Sequence, residues 1–513
     1  MLQIKKVKLT HKKDLRVILD DFSLVLNAGD KAVIIGEEGN GKSTLMKWIY
    51  DPDLIEDYIE AEGTKIDSGE KLGYLPQEMP EADKKKTVYE YFSEEELFWN
   101  KTPRELADIA RKFGMSKDFF YSEQQMGSLS GGEKVKTQLM RLFIQDATVL
   151  LLDEPSNDID IATLELLEKT INEWENIVLF ISHDETLIER TANMVVHIEQ
   201  IMRKTKSRYT IAKLPYRQYV EERLHNFERQ EQQAQNDRRE KAIRDEKYRK
   251  LMQNVQNALA SCSRQAPNIG KNLKDKMHTV KSMEKRFERE DEKMIEMPEQ
   301  EEAIFFKLGD KNSYIPAGKT VIEYELPKLM TPDGSRVLAE DIFLRIRGSE
   351  KICIIGPNGT GKTTLLKKIA EELLKRTDIK AEYMPQNYED LLNMDMTPVD
   401  FLDKTGDKEE RTRIRTYLGS LKYTADEMEH PISELSGGQK AKVLLLRMSL
   451  SGANVLILDE PTRNFSPLSG PVIRKMLREF PGAIISISHD RKYIDEVCEK
   501  IYELKSHSLK PVD

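Results

Sequence analysis

Two glycine-rich segments of this chain have the residue types and spacing that bind a phosphate chain. Each follows an apolar strand pattern and precedes a helix pattern, with the sequences GEEGNGKST and GPNGTGKTT. Glycines let backbone N–H groups curl round a phosphate, and the helix N-terminus adds positive potential. The lysine would reach the β- and γ-phosphates, and the following hydroxyl would ligate Mg²⁺. The predicted nucleotide-binding residues are Gly36, Gly39, Asn40, Gly41, Lys42, Ser43 and Thr44, and Gly356, Asn358, Gly359, Gly361, Lys362, Thr363 and Thr364.

Paired carboxylates end two further apolar runs, VLLLDEP and VLILDEP. The first run places Asp153 and Glu154, and the second places Asp459 and Glu460. A carboxylate pair at the end of a buried strand suits Mg²⁺ coordination and the activation of a water molecule. We therefore predict that the aspartates hold the metal through its shell and that the glutamates polarise the attacking water.

Three more motifs recur around these carboxylates. Gln77 and Gln386 each follow a short strand pattern, and His183 and His489 follow the apolar runs LFIS and ISIS. A lone histidine is more often structural, but its place downstream of all the other motifs favours a functional role. The remaining motif is LSGGEK in the first half and LSGGQK in the second, which gives Ser130, Gly131 and Gly132, and Ser436, Gly437 and Gly438.

The two halves of the chain contain the same motifs and predicted elements in the same order. The offset between copies is 320 residues for the loop lysine and 309 for the glutamine. It is 306 for the serine of LSGG, the carboxylate pair and the histidine. Insertions and deletions therefore lie upstream of LSGG, and the pattern predicts a tandem duplication of one α/β domain.

This ordered set of motifs resembles the ABC ATPase superfamily. The resemblance implies an α/β fold with two tandem ABC-type nucleotide-binding domains, ATP and Mg²⁺ as cofactors, and ATP hydrolysis. It also implies that LSGG caps the γ-phosphate held by the other domain, so that ATP joins the domains head to tail within one monomer. The implied metal-site residues are Ser43, Gln77 and Asp153 at the first site and Thr363, Gln386 and Asp459 at the second. Each site would take its Ser-Gly-Gly from the opposite half.

A long charged segment connects the two halves. Between residues 216 and 294, Gly and Pro occur only in SCSRQAPNIG, so the flanks predict two long helices and the centre predicts their turn. The first helix, with about 43 residues, would reach about 65 Å. The predicted domains are residues 1–215, a linker over 216–297 with its turn near 259–271, and residues 298–513.

The charge of this linker differs from that of the whole chain. It carries 19 Lys and Arg against 14 Asp and Glu, whereas the whole chain has a net charge of −9. No acidic residue lies between Glu246 and Asp275. Basic residues near the turn, among them Arg264, Lys271 and Lys274, suggest a polyanionic partner such as RNA. A solvated coiled coil that only spaces the domains is the alternative reading.

Two ABC domains joined by a charged helical hairpin resemble the ABC-F family of ribosome-associated ATPases. The resemblance implies a 70S ribosome partner, with contacts at the E site, the 23S rRNA and the P-site tRNA. Only 53 residues separate Gln77 from Ser130. This leaves little room for the extra arm that housekeeping members of the family often carry between these two motifs. The segment TRNFSPLS is similar to the branch that protects ribosomes from lincosamide, streptogramin A and pleuromutilin antibiotics. Asp158 stands where the family commonly has histidine, and TRNFSPLS lacks the aspartate found at Asp160, so we expect unequal hydrolysis at the two sites.

Three other functions remain open at this point. A translation factor of the same family could resolve stalled ribosomes without any drug. The ATPase subunit of a membrane transporter rarely carries a basic hairpin between fused copies. A chromosome-maintenance ATPase places its coiled coil inside one ATPase domain.

The composition limits where the chain works. The 513 residues are 33% charged with a mean hydropathy of −0.58, and no apolar run approaches the length needed to span a bilayer. No secretory signal is evident, and three scattered cysteines predict neither a disulfide framework nor a metal site. We expect a cytoplasmic protein with no membrane partner.

Overall fold

The computed structural model describes most of the chain. The described residues are 1–67, 69–201, 206–260, 267–291, 294, 308–309, 313–331, 334–505 and 508–512. They form two units, one comprising Met1–Tyr216 and Glu301–Asp513 and the other Arg217–Gln300. None of the helices in these ranges is both long and apolar enough to cross a membrane.

The first half of the chain is an α/β domain. Its strands are β1 (Leu2–His11), β2 (Val17–Leu26), β3 (Lys31–Ile35), β4 (Ile59–Ile66), β5 (Leu72–Leu75), β6 (Val149–Asp153), β7 (Ile177–Ile181), β8 (Met194–Ile201) and β9 (Lys206–Ala212). Its helices are α1 (Lys42–Tyr50), α2 (Glu81–Lys84), α3 (Val88–Ser93), α4 (Glu96–Asn100), α5 (Pro103–Lys112), α6 (Gly131–Ile144), α7 (Ile161–Glu173) and α8 (Glu185–Thr191), with 3₁₀ turns at Pro52–Leu54, Lys117–Tyr121 and Met126–Ser128.

Six strands of this half form one sheet in the order β5-β6-β7-β3-β8-β9. All neighbours pair in parallel except β8 and β9. Strands β6 and β7 are apolar and buried along their whole length, as expected for parallel strands that are covered on both faces. The other strands form an antiparallel sheet in the order β2-β1-β4.

The linker forms two further helices within the second unit. These are α9 (Tyr216–Ala260) and α10 (Pro267–Asp291). Arg244 forms an ion pair with Glu290 at 3.2 Å, and the rings of Tyr248 and Phe287 lie 5.8 Å apart. Since later residues of α9 face earlier residues of α10, the two helices are antiparallel. This pairing confirms the helical hairpin.

The predicted turn of the hairpin was too long. We expected SCSRQAPNIG to lie between the helices, but α10 already begins at Pro267 and includes Gly270. Proline is favoured at the first position of a helix because its missing N–H has no partner there anyway. One glycine in a helix costs only about 1 kcal/mol. Arg264 lies outside the described residues, as does the side chain of Lys274, whereas Lys271 is exposed.

The second half repeats the α/β domain. Its strands are β10 (Thr320–Met330), β11 (Val337–Arg347), β12 (Lys351–Ile355), β13 (Ala381–Met384), β14 (Val455–Asp459), β15 (Ala483–Ile487), β16 (Lys500–Lys505) and β17 (Ser508–Val512). Its helices are α11 (Lys362–Leu373), α12 (Pro398–Leu402), α13 (Lys408–Ser420), α14 (Ala425–Glu429), α15 (Gly437–Ser451), α16 (Gly470–Arg478) and α17 (Arg491–Val497), with 3₁₀ turns at Tyr388–Asp390 and Ile432–Glu434.

The second sheet has the order β13-β14-β15-β12-β16-β17, which is the order of the first. In both sheets the parallel strands end at one edge. Each glycine-rich loop follows β3 or β12, each carboxylate pair follows β6 or β14, and each histidine follows β7 or β15. The carboxyl edge of a parallel sheet thus collects the predicted site residues, as in other open α/β folds.

Candidate nucleotide-binding sites

The first glycine-rich loop is wrapped around the ammonium group of Lys42. Nζ of Lys42 donates to the carbonyl oxygens of Gly36 at 2.8 Å and Glu37 at 3.0 Å. Gly41 has a φ of 83°, and a Cβ at Gly36 would lie 2.2 Å from the carbonyl oxygen of Ile198. Gly41 is therefore required by its left-handed backbone, and Gly36 is required by the close approach of the Ile198 carbonyl group.

Ser43 and Asp153 meet beside this loop. The Ser43 hydroxyl donates to Oδ1 of Asp153 at 2.9 Å, and the Tyr74 hydroxyl donates to Oδ2 at 3.3 Å. Burial raises the pKa of Asp153 to about 6. A hydroxyl and a carboxylate are oxygen ligands that Mg²⁺ accepts. The described residues contain no cluster of three His, Cys, Asp or Glu that could hold a metal, so Mg²⁺ would also need phosphate and water ligands.

Glu154 and His183 form a close pair in the first domain. Nε2 of His183 lies 2.8 Å from Oε1 of Glu154, whose side chain is 3% exposed. Burial opposes ionisation, but the interactions with His183 and Lys42 together outweigh it and lower the pKa of Glu154. Gln77 lies at the same sheet edge just after β5, with an exposed side chain.

The second domain repeats the loop and the metal-site pair. Nζ of Lys362 donates to the carbonyl oxygens of Gly356 at 2.7 Å and Pro357 at 2.9 Å. Burial raises the pKa of Asp459 to about 6 despite a hydrogen bond from Thr363. Oδ2 of Asp459 is buried and has no hydrogen-bond partner in the described part of the chain. A buried acceptor of this kind fits a cation, because an unpaired polar atom is otherwise costly.

Glu460 and His489 are arranged differently from their counterparts. Their side chains lie 3.8 Å apart, and the backbone N–H of His489 donates to Oε2 of Glu460 at 3.3 Å. Burial and then the neighbouring Asp459 raise the pKa of Glu460 to about 8. Burial and then Lys362 lower the pKa of His489 to about 4. Burial thus disfavours the charged form of both side chains in the second pair.

Residues of both domains line one cavity of about 1010 Å³ at the second site. Its walls bring together Ser130 and Gly131 with Asn358, Gly359, Gly361, Lys362, Thr363, Thr364, Gln386, Asp459, Glu460 and His489. Gly132 is buried just inside α6 and does not line the cavity. The first LSGG segment therefore faces the second glycine-rich loop.

The reciprocal contact joins the first loop to the second LSGG segment. The backbone N–H of Gly438 donates to Oε2 of Glu38 at 2.6 Å, and Lys442 lies 3.2 Å from Glu37. Ser436 caps α15 by accepting a hydrogen bond from the backbone N–H of Gln439. Each glycine-rich loop thus faces the LSGG segment of the other domain.

Asp158 links the two domains at the second site, which sequence reasoning did not predict. Its Oδ1 accepts from Nε2 of Gln386 at 3.0 Å, and its carboxylate receives Arg463 at 2.9 and 3.1 Å. Its carbonyl oxygen accepts from Nδ2 of Asn358 at 2.5 Å. The substitution of the family histidine was noticed in the sequence, but the partners of the aspartate were not. Gln386, unlike Gln77, is therefore held by the opposite domain.

A second group of interdomain ion pairs lies at α8 and α17, and we call it the α8–α17 charge cluster. Its cations come from the second domain and its carboxylates from the first: Arg474, Arg491 and Lys492 against Glu168, Asp184, Glu185 and Glu189. Arg474 is only 3% exposed. These pairs hold the domains together at a place distinct from the glycine-rich loops.

Comparisons with known proteins identify the family of this chain. A family model described as ABC transporter matches residues 19–157 and 339–463. The ribosome protection protein VmlR of Bacillus subtilis is 28% identical, with 94% of this chain and 83% of the relative covered. The ABC transporter F family member 5 of Arabidopsis thaliana is 26% identical, with 76% of this chain and 53% of the relative covered.

A solved structure shares the fold over nearly the whole chain. It is the complex of the archaeal ribosomal stalk protein aP1 and the ribosome recycling factor aABCE1. The TM-score is 0.57 at 17% identity, with 97% of this chain and 87% of that chain covered. The likeness confirms the tandem arrangement of two α/β domains.

Proposed function

Because the chain belongs to the ABC family of ATP-binding proteins and groups within it with the ABC-F proteins, we propose that it is a ribosome-protection ATPase. It binds the ribosome from the E site in the cytoplasm, and its linker turn reaches towards the P-site tRNA and the peptidyl-transferase centre. There it relieves inhibition by lincosamide, streptogramin A or pleuromutilin antibiotics.

The head-to-tail contact between the two domains carries the ATPase part of this proposal. The contact of Glu38 with Gly438, and the cavity shared by Lys362 and Ser130, give each site residues from both domains. In each site the loop lysine would bind phosphate oxygens, and the serine or threonine and the aspartate would hold Mg²⁺. Bound Mg²⁺ neutralises the charge that develops on the phosphates. Loss of the γ-phosphate removes a bridge between the domains and lets them open.

The two glutamates orient and activate the attacking water in this scheme. Glu154 is held by His183, whereas burial and the neighbouring Asp459 raise the pKa of Glu460 to about 8 and so oppose its action as a base. The pKa values of the two glutamates are therefore shifted in opposite directions. This difference supports the expectation that they hydrolyse ATP at unequal rates.

The ribosomal part of the proposal is supported by the hairpin and by the named relatives. Near the turn Lys247, Arg249, Lys250 and Lys271 are exposed. Only Lys250 among these has a described ion pair, a 2.7 Å contact with Glu246. Exposed cations without carboxylate partners are available to phosphates of RNA. VmlR is named a ribosome protection protein, and its similarity covers the hairpin as well as both domains.

Antibiotic susceptibility tests the whole proposal. Cells that carry the gene should grow at higher lincosamide or pleuromutilin concentrations than cells without it. The Glu154→Gln, Glu460→Gln double variant should give no protection, because removing a general base costs about 100-fold or more in rate. If neither protein protects and the variant is trapped on ribosomes, the drug-independent translation factor replaces this proposal. Absence of both effects would reject the ribosome as partner.

Co-sedimentation with ribosomes tests the role of the basic turn. Charge reversal of Lys271 and Lys274 to Glu should weaken binding and reduce the salt slope by about one per lost phosphate contact. The matched control reverses Lys281 and Arg289, which are exposed and lie on the same helix further from the turn. Equal loss of binding in both variants would mean that only the total charge of the hairpin matters.

A further inference from the structure

The two glycine-rich loops differ at the two positions that follow their first glycine. The first loop has Glu37 and Glu38, and the second has Pro357 and Asn358. Two carboxylates in a loop that must bind polyphosphate oppose its task by electrostatic repulsion. Their presence in one copy only calls for a separate physical explanation.

Glu38 occupies an anion position at the start of α15. The backbone N–H groups in the first turn of a helix have no intrahelical partners and carry partial positive charge. Ser436 satisfies the N–H of Gln439, and Oε2 of Glu38 accepts from the N–H of Gly438 at 2.6 Å. A Cβ on Gly437 would lie 3.1 Å from the same oxygen, so a side chain there would crowd the carboxylate.

Glu37 makes a different contact from its neighbour. Its Oε1 lies 3.2 Å from Nζ of Lys442, which is 13% exposed and one turn further along α15. The carboxylate of Glu37 therefore pairs with a side chain and leaves the N–H of Gly438 to Glu38. This makes Glu37 a matched control, because it carries the same charge in the same loop.

The second site has no corresponding carboxylate. Asn358 is neutral, and its Nδ2 donates to the carbonyl oxygen of Asp158. In the described hydrogen bonds of the second site, no side chain of the loop reaches the N–H groups of Gly131 or Gly132. The start of α15 therefore holds a carboxylate of the opposite loop, whereas the start of α6 receives none in the described hydrogen bonds.

We propose that Glu38 is a specificity-determining residue that lowers the preference of the first site for a nucleoside triphosphate over a diphosphate. The inference rests on the proposed function, in which a γ-phosphate held by Lys42 is capped by the N–H groups of Gly437 and Gly438. The carboxylate and the γ-phosphate are both anions and compete for the same N–H group. A diphosphate has no γ-phosphate, so it binds without displacing Glu38.

Nucleotide binding at the first site alone tests this assignment. The full-length chain with Lys362→Ala reports the first site, and the probes are the β,γ-imido analogue of ATP and ADP, both with Mg²⁺. Glu38→Gln removes the charge and keeps the side-chain size. It should tighten binding of the imido analogue about tenfold or more and change ADP binding by less than about twofold, because charged hydrogen bonds are the strong ones. Glu38→Asn, which installs the residue of the second loop, should behave in the same way.

The control variant is Glu37→Gln in the same background. It should leave the ratio of the two affinities within about twofold of the parent. An unchanged ratio in Glu38→Gln would overturn the inference, as would an equal change in both variants, since that would be a general effect of loop charge. If the Lys362→Ala parent binds neither nucleotide, the first nucleotide site itself is refuted and the inference falls with it.

Discussion

At the scale of single residues, the two candidate water-activating glutamates have opposite electrostatic environments. Glu154 lies 2.8 Å from a histidine nitrogen, and this pairing lowers its pKa. Glu460 lies 3.8 Å from the equivalent nitrogen and next to Asp459, and its pKa rises to about 8. Identical motifs therefore carry different charges before nucleotide binds. Stability measured against pH can distinguish them.

We predict that the Glu460→Gln variant gains melting temperature relative to wild type as pH rises from about 4.5 to 8. The raised pKa means that the folded protein binds a proton that the unfolded chain releases over this range. Wild type therefore loses stability as pH rises, whereas glutamine has no proton to lose. A relative gain of about 2 °C is expected by calorimetry in a metal chelator without nucleotide.

Glu154→Gln serves as the control with the opposite sign. Because the pKa of Glu154 is lowered, its charge contributes stability above the unfolded pKa, and this contribution disappears as pH falls through the folded pKa. The variant should melt below wild type at neutral pH, and the difference should vanish in acid. Parallel curves for the two variants would contradict the assigned charges.

The sequence predicted most of the site residues but not how they are held. The loops, carboxylates and histidines follow apolar strands directly, so local patterns were enough to locate them. The hydrogen bond between Asp158 and Gln386 joins residues that are 228 positions apart in the sequence, and it depends on how two domain surfaces meet. No local pattern contains that information. The roles of Glu37 and Glu38 were missed for the same reason.

At the scale of elements, the interdomain pairs of the α8–α17 charge cluster join cations of the second domain to carboxylates of the first. Lys492 lies 2.9 Å from Glu185 and 2.6 Å from Glu189, and its side chain is 22% exposed. Removing one partner of a partly buried pair is more disruptive than removing one partner of an exposed pair, because the remaining charge is left poorly solvated and unpaired. The helices contribute to the interface through charge as well as through shape.

We predict that Lys492→Met loosens this interface. Loss of about 1 kcal/mol should raise hydrogen exchange of amides in α8 and α17 about fivefold, measured by mass spectrometry. Lys475→Met is the matched control, because Lys475 pairs only with Glu479 of its own domain in the described ion pairs. Unchanged exchange in α8 would mean that the cluster adds nothing to the interface.

Element boundaries were predicted less well than element types. The apolar runs VLLLD and VLILD form buried strands, and the SGG segments begin helices with a serine cap, as their residue types indicate. The hairpin turn was overestimated because proline and glycine were both taken as breakers. Proline is also favoured at the first position of a helix, so it can mark the beginning of a helix as well as the end of one.

At the scale of the whole molecule, residues of both domains meet at each candidate site, and both domains lie in one chain. Closure of the sites is therefore an intramolecular event. The tandem fold followed from the repeat offsets and the LSGG contact was implied by the family resemblance, whereas the contacts of Asp158 and of the α8–α17 charge cluster required the structure. Single-domain proteins of similar fold would have to associate before they could complete a site.

We predict that ATPase activity per chain stays constant over about a thousandfold dilution, since the two half-sites keep a fixed effective concentration. The measurement is phosphate release per molecule at saturating ATP. Activity that falls on dilution would show that sites form between chains instead.

The loop after β6 serves two sites at once. It carries Glu154 at the first site and, four residues later, Asp158 at the second, where Gln386 is held. If this loop moves when the first site turns over, we expect the second site to change as well, and any coupling of binding free energies would be reciprocal. Successive turnovers in one molecule are then not independent events. Waiting times between phosphate releases should form a peaked distribution, as in an ordered cycle. Two sites that hydrolyse ATP independently would instead give a single-exponential distribution.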